Sequence, residues 1–263
     1  MIEIVYVLGS TRSGTSALRN GLAETRFAGY GEGHLVPILQ DMIRAVRSHK
    51  SDGLGAQVEG NGLHQMRENV MLRHLFHGYE QYLATQIKTN SLMDKTPTIA
   101  PIQLAPDLDT FHQKPYFIHC ARRHLDNVQS KIKKFPDRTL EQHCREWAEC
   151  NMTWLRVKDR LGSNYLAFDF YDLATDPERI AGQIGTYLEL SAEDTAALGA
   201  YLVSKRPQAA ADRDLTQFLR LSEIDWTDDE KQIFDDICSP VGELLGYGME
   251  DYFHAPVADV LSG

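Results

Sequence analysis

The chain has 263 residues, 43% of them hydrophobic, with 27 Lys+Arg against 37 Asp+Glu and a formal net charge of −10. That length and balance suit one folded α/β domain with a large buried core and argue against disorder. No window approaches the roughly 18 apolar residues of a membrane span, the first residues lack the basic and apolar regions of a secretory signal, and an acidic surface repels nucleic acid and anionic membrane. The expectation is a cytoplasmic protein with no nucleic-acid partner and no membrane span, in which any bound anion is held by a local cluster of cations.

Residues 2–8 cluster Ile, Val and Tyr and stop at Gly9, the pattern of a buried strand. From Thr15 the spacing of Ala17, Leu18, Leu22 and Ala23 predicts a helix, so the chain opens as strand, glycine-containing loop, helix. Leu35, Ile38, Leu39, Met42, Ile43 and Val46 predict a helix over 35–47. Residues 48–62, rich in Gly, Ser, Asp and Asn, predict an exposed loop, and a long helix follows over 63–87. His74 and His77 on that helix have a spacing that could hold a metal, but no carboxylate motif accompanies them, so a polar helix face is expected and no metal site.

A short apolar piece, Ser91-Leu92-Met93, runs into Asp94-Lys95-Thr96-Pro97. Residues 115–121 read as a second strand, followed by a basic helix over 123–134. There Arg123, His124, Lys131, Lys133 and Lys134 make the densest basic patch in the chain. A long helix covers 139–161, a third strand 164–170, and Asp176-Pro177-Glu178 opens a helix as a cap followed by proline does. Helices over about 191–203 and 227–246 finish the chain. Cys120, Cys144, Cys150 and Cys238 form no C-x-x-C pair and read as reduced, mostly buried thiols. Strands alternating with helices predict a three-layer αβα fold around a central parallel sheet, with residues 1–263 as a single domain.

The loop Gly9-Ser10-Thr11-Arg12-Ser13-Gly14-Thr15-Ser16 is the strongest feature. It joins the end of a strand to the start of a helix, where unbonded N–H groups and the helix dipole attract an anion. Its spacing nearly fits G-x-x-x-x-G-K-[ST], but Thr15 fills the lysine position and the positive charge comes earlier, as Arg12. A nucleoside triphosphatase needs that lysine and a downstream acidic residue for magnesium. The loop therefore reads as a phosphate holder not built for ATP hydrolysis. A P-loop small-molecule kinase and a non-catalytic nucleotide-binding module remain as alternatives.

The same residues carry a resemblance. The loop resembles the 5′-phosphosulfate-binding loop of sulfotransferases that use 3′-phosphoadenosine 5′-phosphosulfate (PAPS), in the arginine-type branch that includes tyrosylprotein sulfotransferases and many bacterial relatives. Arg122-Arg123-His124-Leu125-Asp126-Asn127-Val128-Gln129-Ser130 resembles that family's 3′-phosphate segment, with Arg122 and Ser130 at its two gripping positions. A bidentate arginine and a hydroxyl donor suit a phosphate. Residues 170–178 resemble a later segment in which Phe170 stands where the family carries a tyrosine, and Lys205-Arg206-Pro207 resembles a basic turn that reaches back to the 3′-phosphate. The resemblance implies a P-loop NTPase-like sulfotransferase fold. It also implies PAPS as donor, 3′-phosphoadenosine 5′-phosphate (PAP) as product, and Ser10, Thr11, Arg12, Ser13, Gly14, Thr15, Ser16, Arg122, Ser130, Phe170, Lys205 and Arg206 as nucleotide-binding residues.

Sulfuryl transfer asks the protein to align donor and acceptor and to stabilise charge on the leaving phosphate. Arginine and lysine can serve, so no metal is required. Arg12 is the candidate for the bridging oxygen, and Lys95 resembles the family's strand-end lysine that touches the sulfuryl group. Gly31-Glu32-Gly33-His34 resembles the Gly-Glu segment of tyrosylprotein sulfotransferases, whose glutamate is the general base. That gives Glu32 as base, with His34 competing because imidazole titrates near neutrality. The expected acceptor is a small molecule or a glycan or lipid headgroup ahead of a protein, and a homodimer is left open.

Overall fold

The computed structural model describes residues 1–204 and 218–253; Lys205 and Arg206 lie outside the described residues. Strands β1 (Glu3–Leu8), β2 (Ser91–Lys95), β3 (Pro115–Ala121) and β4 (Leu166–Asp169) form a sheet of order β2-β1-β3-β4 with every pairing parallel. The helices are α1 (Thr15–Leu22), α2 (Val36–Asp52), α3 (Gly62–Gln65), α4 (Glu68–Ile87), α5 (Ile99–Phe111), α6 (His124–Lys134), α7 (Leu140–Val157), α8 (Phe170–Thr175), α9 (Pro177–Tyr187), α10 (Ala192–Ser204) and α11 (Asp228–Leu244).

The period-2 pleat sorts the strand side chains into two cores. Ile4, Tyr6 and Leu8 of β1 and Phe117 of β3 pack with residues of α2, α4, α5 and α7 on one face. Val5, Val7, Ile118 and Cys120 pack with residues of α1, α9 and α10 on the other. A third cluster joins α6, α7 and α11 through Leu125, Val128, Trp147, Phe234 and Val241. The architecture is thus the expected parallel sheet covered on both faces.

Several local expectations change. The helix predicted over 35–47 runs on to Asp52, inside the expected loop. Helix α5 has no counterpart in the reading of the sequence, because Pro101 and Pro106 mask its periodicity. The third strand is shorter than residues 164–170: the Asp169 carboxylate accepts the Tyr171 N–H and caps α8, so Phe170 is helical. The basic patch largely dissolves, since Arg123, His124 and Lys131 are buried and only Lys133 and Lys134 are exposed among its five members.

Because all four strands are parallel, their carboxyl ends share one edge, and the loops that follow them converge there. The segment after α1 joins the same edge. Ala28 N–H donates to Ser91 O at 2.9 Å and Met93 N–H to Ala28 O at 2.8 Å, which carries residues 31–34 to the end of β2.

Candidate active site

The loop between β1 and α1 is a rigid frame around an open helix end. The first intrahelical bond runs from Leu18 N–H to Gly14 O, leaving the N–H groups of Thr15, Ser16 and Ala17 without an intrahelical carbonyl. Gly14 has φ 95°, and a Cβ there would lie 2.6 Å from Phe170 Cδ2, so a glycine is required. Arg12 also adopts a left-handed conformation, φ 71°.

Three of the loop hydroxyls brace the loop itself. Ser13 Oγ donates to Ser10 O at 2.6 Å, Thr11 Oγ1 donates to Pro97 O at 3.1 Å, and Ser10 Oγ accepts from Asn127 Nδ2 at 3.2 Å. Of the remaining polar groups, Ser16 is exposed and Arg12 is half-buried, beside the first-turn N–H donors.

Arg12, Arg122 and Ser130 come together across 110 and more residues of sequence. Arg12 Nε donates to Ser130 Oγ at 3.0 Å, and Arg122 Nη1 donates to Arg12 O at 3.0 Å. The Arg122 guanidinium lies 4.5 Å from the centre of the Phe170 ring. Burial pushes the Arg122 pKa down, and its buried Nε has no hydrogen-bond partner among the described residues. A buried guanidinium with an unmet donor is poised for an anion. Asn127, which sequence reasoning missed, is fully buried and ties α6 to this loop through Ser10 Oγ and, at 3.1 Å, Thr11 O.

The second half of the site lies at the end of β2. Lys95 is buried, and its Nζ is 2.5 Å from Glu32 Oε1, while the other carboxylate oxygen of Glu32 is 3.0 Å from His34 Nε2. The Lys95 hydrogen bond holds the Glu32 carboxyl below its ordinary range. Glu32 and His34 are about half exposed, so this triad forms an open mouth beside the loop edge. The Thr11–Pro97 bond connects the two halves. Among the described residues, no group of His, Cys, Asp and Glu is arranged to hold a metal; His77 Nδ1 instead accepts from Gln113 Nε2 at 2.8 Å.

Chemically, the edge offers two cationic forks, a hydroxyl and a helix N-terminus for anionic groups, next to a carboxylate–lysine pair able to handle a proton. The model of the sulfotransferase family matches residues 5–194. Among solved structures, the chain is similar to the sulfotransferase domain from the Synechococcus PCC 7002 olefin synthase, at 19% identity over 89% of this chain and 94% of that one, with a TM-score of 0.54. It is also similar to the sulfotransferase STF9 from Mycobacterium avium, at 13% identity over 90% of this chain and 76% of that one, with a TM-score of 0.54. At these identities the likeness is one of fold. A search of curated proteins finds no significant match. With the family model covering most of its length, the chain belongs to the sulfotransferase family and is an enzyme of that kind.

Proposed function

We propose that the protein moves a sulfuryl group from PAPS to a hydroxyl or amine acceptor by in-line transfer, as a single domain. The observation that carries this reading is the hydrogen-bonded set Arg12–Ser130 and Arg122–Arg12, with the unmet Arg122 Nε, next to the Lys95–Glu32 pair. That donor set fits a nucleotide with anionic groups at both its 3′ and 5′ ends. When bound, PAPS supplies an activated sulfuryl group on a phosphate leaving group.

Arg122 and Ser130 hold the 3′-phosphate, and the first-turn N–H groups of α1 with Ser16 hold the 5′ end. Arg12 bonds Ser130 in the structure and, on this reading, turns its guanidinium to the charge that develops on the bridging oxygen. Phe170 supports Arg122 from below and borders the adenine. Lys205 and Arg206 retain the 3′-phosphate role implied by their resemblance. No metal is needed, because arginine and lysine cover the charge.

Glu32 is the general base: ionised by its bond to Lys95, it accepts the acceptor's proton on a carboxylate oxygen. A carboxylate held below its ordinary pKa is a weak base in water, so acceptor binding must enclose it and raise its proton affinity. Lys95, freed from part of that pair, faces the transferred group. His34 bonds the same carboxylate and is the second candidate. The half-exposed mouth suits a small-molecule acceptor or a glycan or lipid headgroup.

The experiment is a ligand-induced thermal shift followed by kinetics. At about 100-fold excess over Kd, PAP should add about 2.7 kcal/mol of stability, while Mg-ATP should add none. Glu32→Gln should leave that shift intact and lower kcat by about 10²- to 10⁴-fold. A shift with Mg-ATP and none with PAP overturns the donor assignment in favour of a kinase; full turnover by Glu32→Gln overturns the base.

A further inference from the structure

The backbone that presents Glu32 and His34 is built on the end of β2. Gly33 N–H reaches Lys95 O at 3.4 Å, and His34 N–H donates to Thr96 Oγ1 at 2.9 Å. Thr96 Oγ1 in turn donates to Asp94 Oδ1 at 3.1 Å. The result is a relay, His34 N–H to Thr96 hydroxyl to carboxylate, in which each bond polarises the next. The other oxygen, Asp94 Oδ2, lies against the Gly33 backbone where a side chain would begin, so residue 33 has no room for a Cβ. His34 is held at φ 51°, a left-handed conformation that persists only where its surroundings impose it.

Asp94 is costly to keep where it is. It is 5% exposed, and the groups facing it are mostly uncharged phenols: Tyr6 from β1 and Tyr79 from α4, with Tyr30 beside Tyr79. The Thr96 hydroxyl, His34 and Lys95 favour its charge, but Lys95 Nζ is bonded to Glu32. Burial dominates and pushes the Asp94 carboxyl up to about 6. An amide of the same shape would avoid the desolvation of a charge. A fold that keeps a carboxylate here gives up stability for what the carboxylate does.

The geometry points to Asp94 as the positioning residue of the acceptor side: through Thr96 and the Gly33 backbone it sets the 31–34 loop and so holds Glu32 against Lys95. The functional half of this statement rests on the reading of Glu32 as base; the loop geometry does not.

The sign of the effect follows from linkage. A raised carboxyl pKa means that the native state binds the proton more tightly than the unfolded chain. Wild-type stability therefore falls as pH rises from about 4 to about 6 and stays reduced above that. Asp94→Asn lacks this loss. At pH 7.5 the variant should melt at a higher temperature than wild type, although it has lost a side-chain charge in the site.

Hydrogen exchange followed by mass spectrometry on peptides covering 30–36 supplies the second readout. Asp94→Asn should exchange about tenfold faster there, because the relay loses its charged end. In wild type, exchange corrected for its intrinsic pH dependence should speed up as pH falls through about 6, and in Asp94→Asn that step should be absent. PAP binding by Asp94→Asn should stay within about twofold of wild type. A residue with only a packing role would lower the melting temperature and show no such step.

Gly33→Ala provides a variant independent of charge: it should loosen the same peptides in wild type and do so less in an Asp94→Ala background. The inference is overturned if Asp94→Asn melts lower at pH 7.5, or if exchange over 30–36 is unchanged by both Asp94→Asn and Gly33→Ala. Failure of the base assignment looks different, since Glu32→Gln would then keep full turnover while Asp94→Asn still frees the loop.

Discussion

Arg122 and Arg123 are adjacent in sequence and opposite in role. Every nitrogen of the Arg123 guanidinium is engaged: Nε donates to Gly248 O at 2.8 Å, Nη2 to Met249 O at 2.7 Å, and Nη1 to Leu219 O at 2.5 Å and Asp126 at 3.0 Å. It pins residues 219 and 248–249 to the start of α6. Among the described residues Arg122 has one such bond, to Arg12 O, and a buried Nε without a partner. Arg123→Met should therefore cost about 3–5 kcal/mol in urea unfolding, since it strands the Asp126 carboxylate and three carbonyls. Arg122→Met should leave unfolding nearly unchanged and weaken PAP about 10- to 100-fold by calorimetry, the loss of a charge-assisted contact. If the two variants behave alike, the division of labour is wrong. Nothing in Arg122-Arg123 as a dipeptide separates them, because the difference lies in partners about 100 residues away in the chain.

At the scale of elements, the strand–loop–helix opening and the β3–α6 unit were legible because buried parallel strands are short apolar runs and their stops are glycine or arginine. The loop after β1 is one continuous stretch, and Arg122 and Ser130 belong to another, so their proximity follows once the strand–loop–helix units are placed. Features that depend on contact between distant segments were not legible. Asn127 looks like any polar helix residue until α6 docks on the loop at Ser10, and Asp94 looks like part of a turn until Gly33 closes over it. Helix α5 was hidden by its prolines, and the basic patch was overread because sequence does not show that Lys131 and His124 point inward. The loop also depends on α8, since the Phe170 ring fills the space beside Gly14. Gly14→Ala combines a left-handed backbone with a clash against that ring, and should cost about 1–3 kcal/mol of stability. It should also weaken PAP, because the displaced Phe170 ring is the one packed 4.5 Å from the Arg122 guanidinium. Adding Phe170→Ala should recover the steric part of the stability loss and none of the affinity; recovery of both would show that Phe170 does not support Arg122.

For the molecule as a whole, the net charge of −10 makes the exterior acidic, and the proposed anion site rests on a few cations at one edge of the sheet. The interior has its own charge balance, and it involves groups with opposite effects. Asp94 and Asp169 are each pushed up to about 6 by burial, and both make the protein less stable as pH rises from about 4 to about 6. His119, on β3, is pushed down to about 3 by burial, so the native protein keeps it neutral. Below its ordinary pKa near 6.5, the unfolded chain takes up a proton there that the native state refuses, and stability falls as pH drops. Over the same window, then, the two aspartates and the histidine pull in opposite directions and flatten the wild-type profile. His119 stacks face to face on Trp154 with ring centres 4.2 Å apart, and its buried Nε2 has no partner among the described residues. His119→Phe keeps a flat ring in that slot and removes both the titration and the unmet nitrogen. Its stability relative to wild type should grow by about 1.4 kcal/mol for each pH unit below 6.5, so urea unfolding at pH 7 and pH 5 should show the gap widening by about 2 kcal/mol. The variant's own profile should then tilt, losing stability toward neutral pH as Asp94 and Asp169 ionise with no opposing histidine. An equal gap at both pH values would mean that His119 is solvated enough to titrate normally, and a gap that narrows toward pH 5 would mean that it is protonated in the native protein.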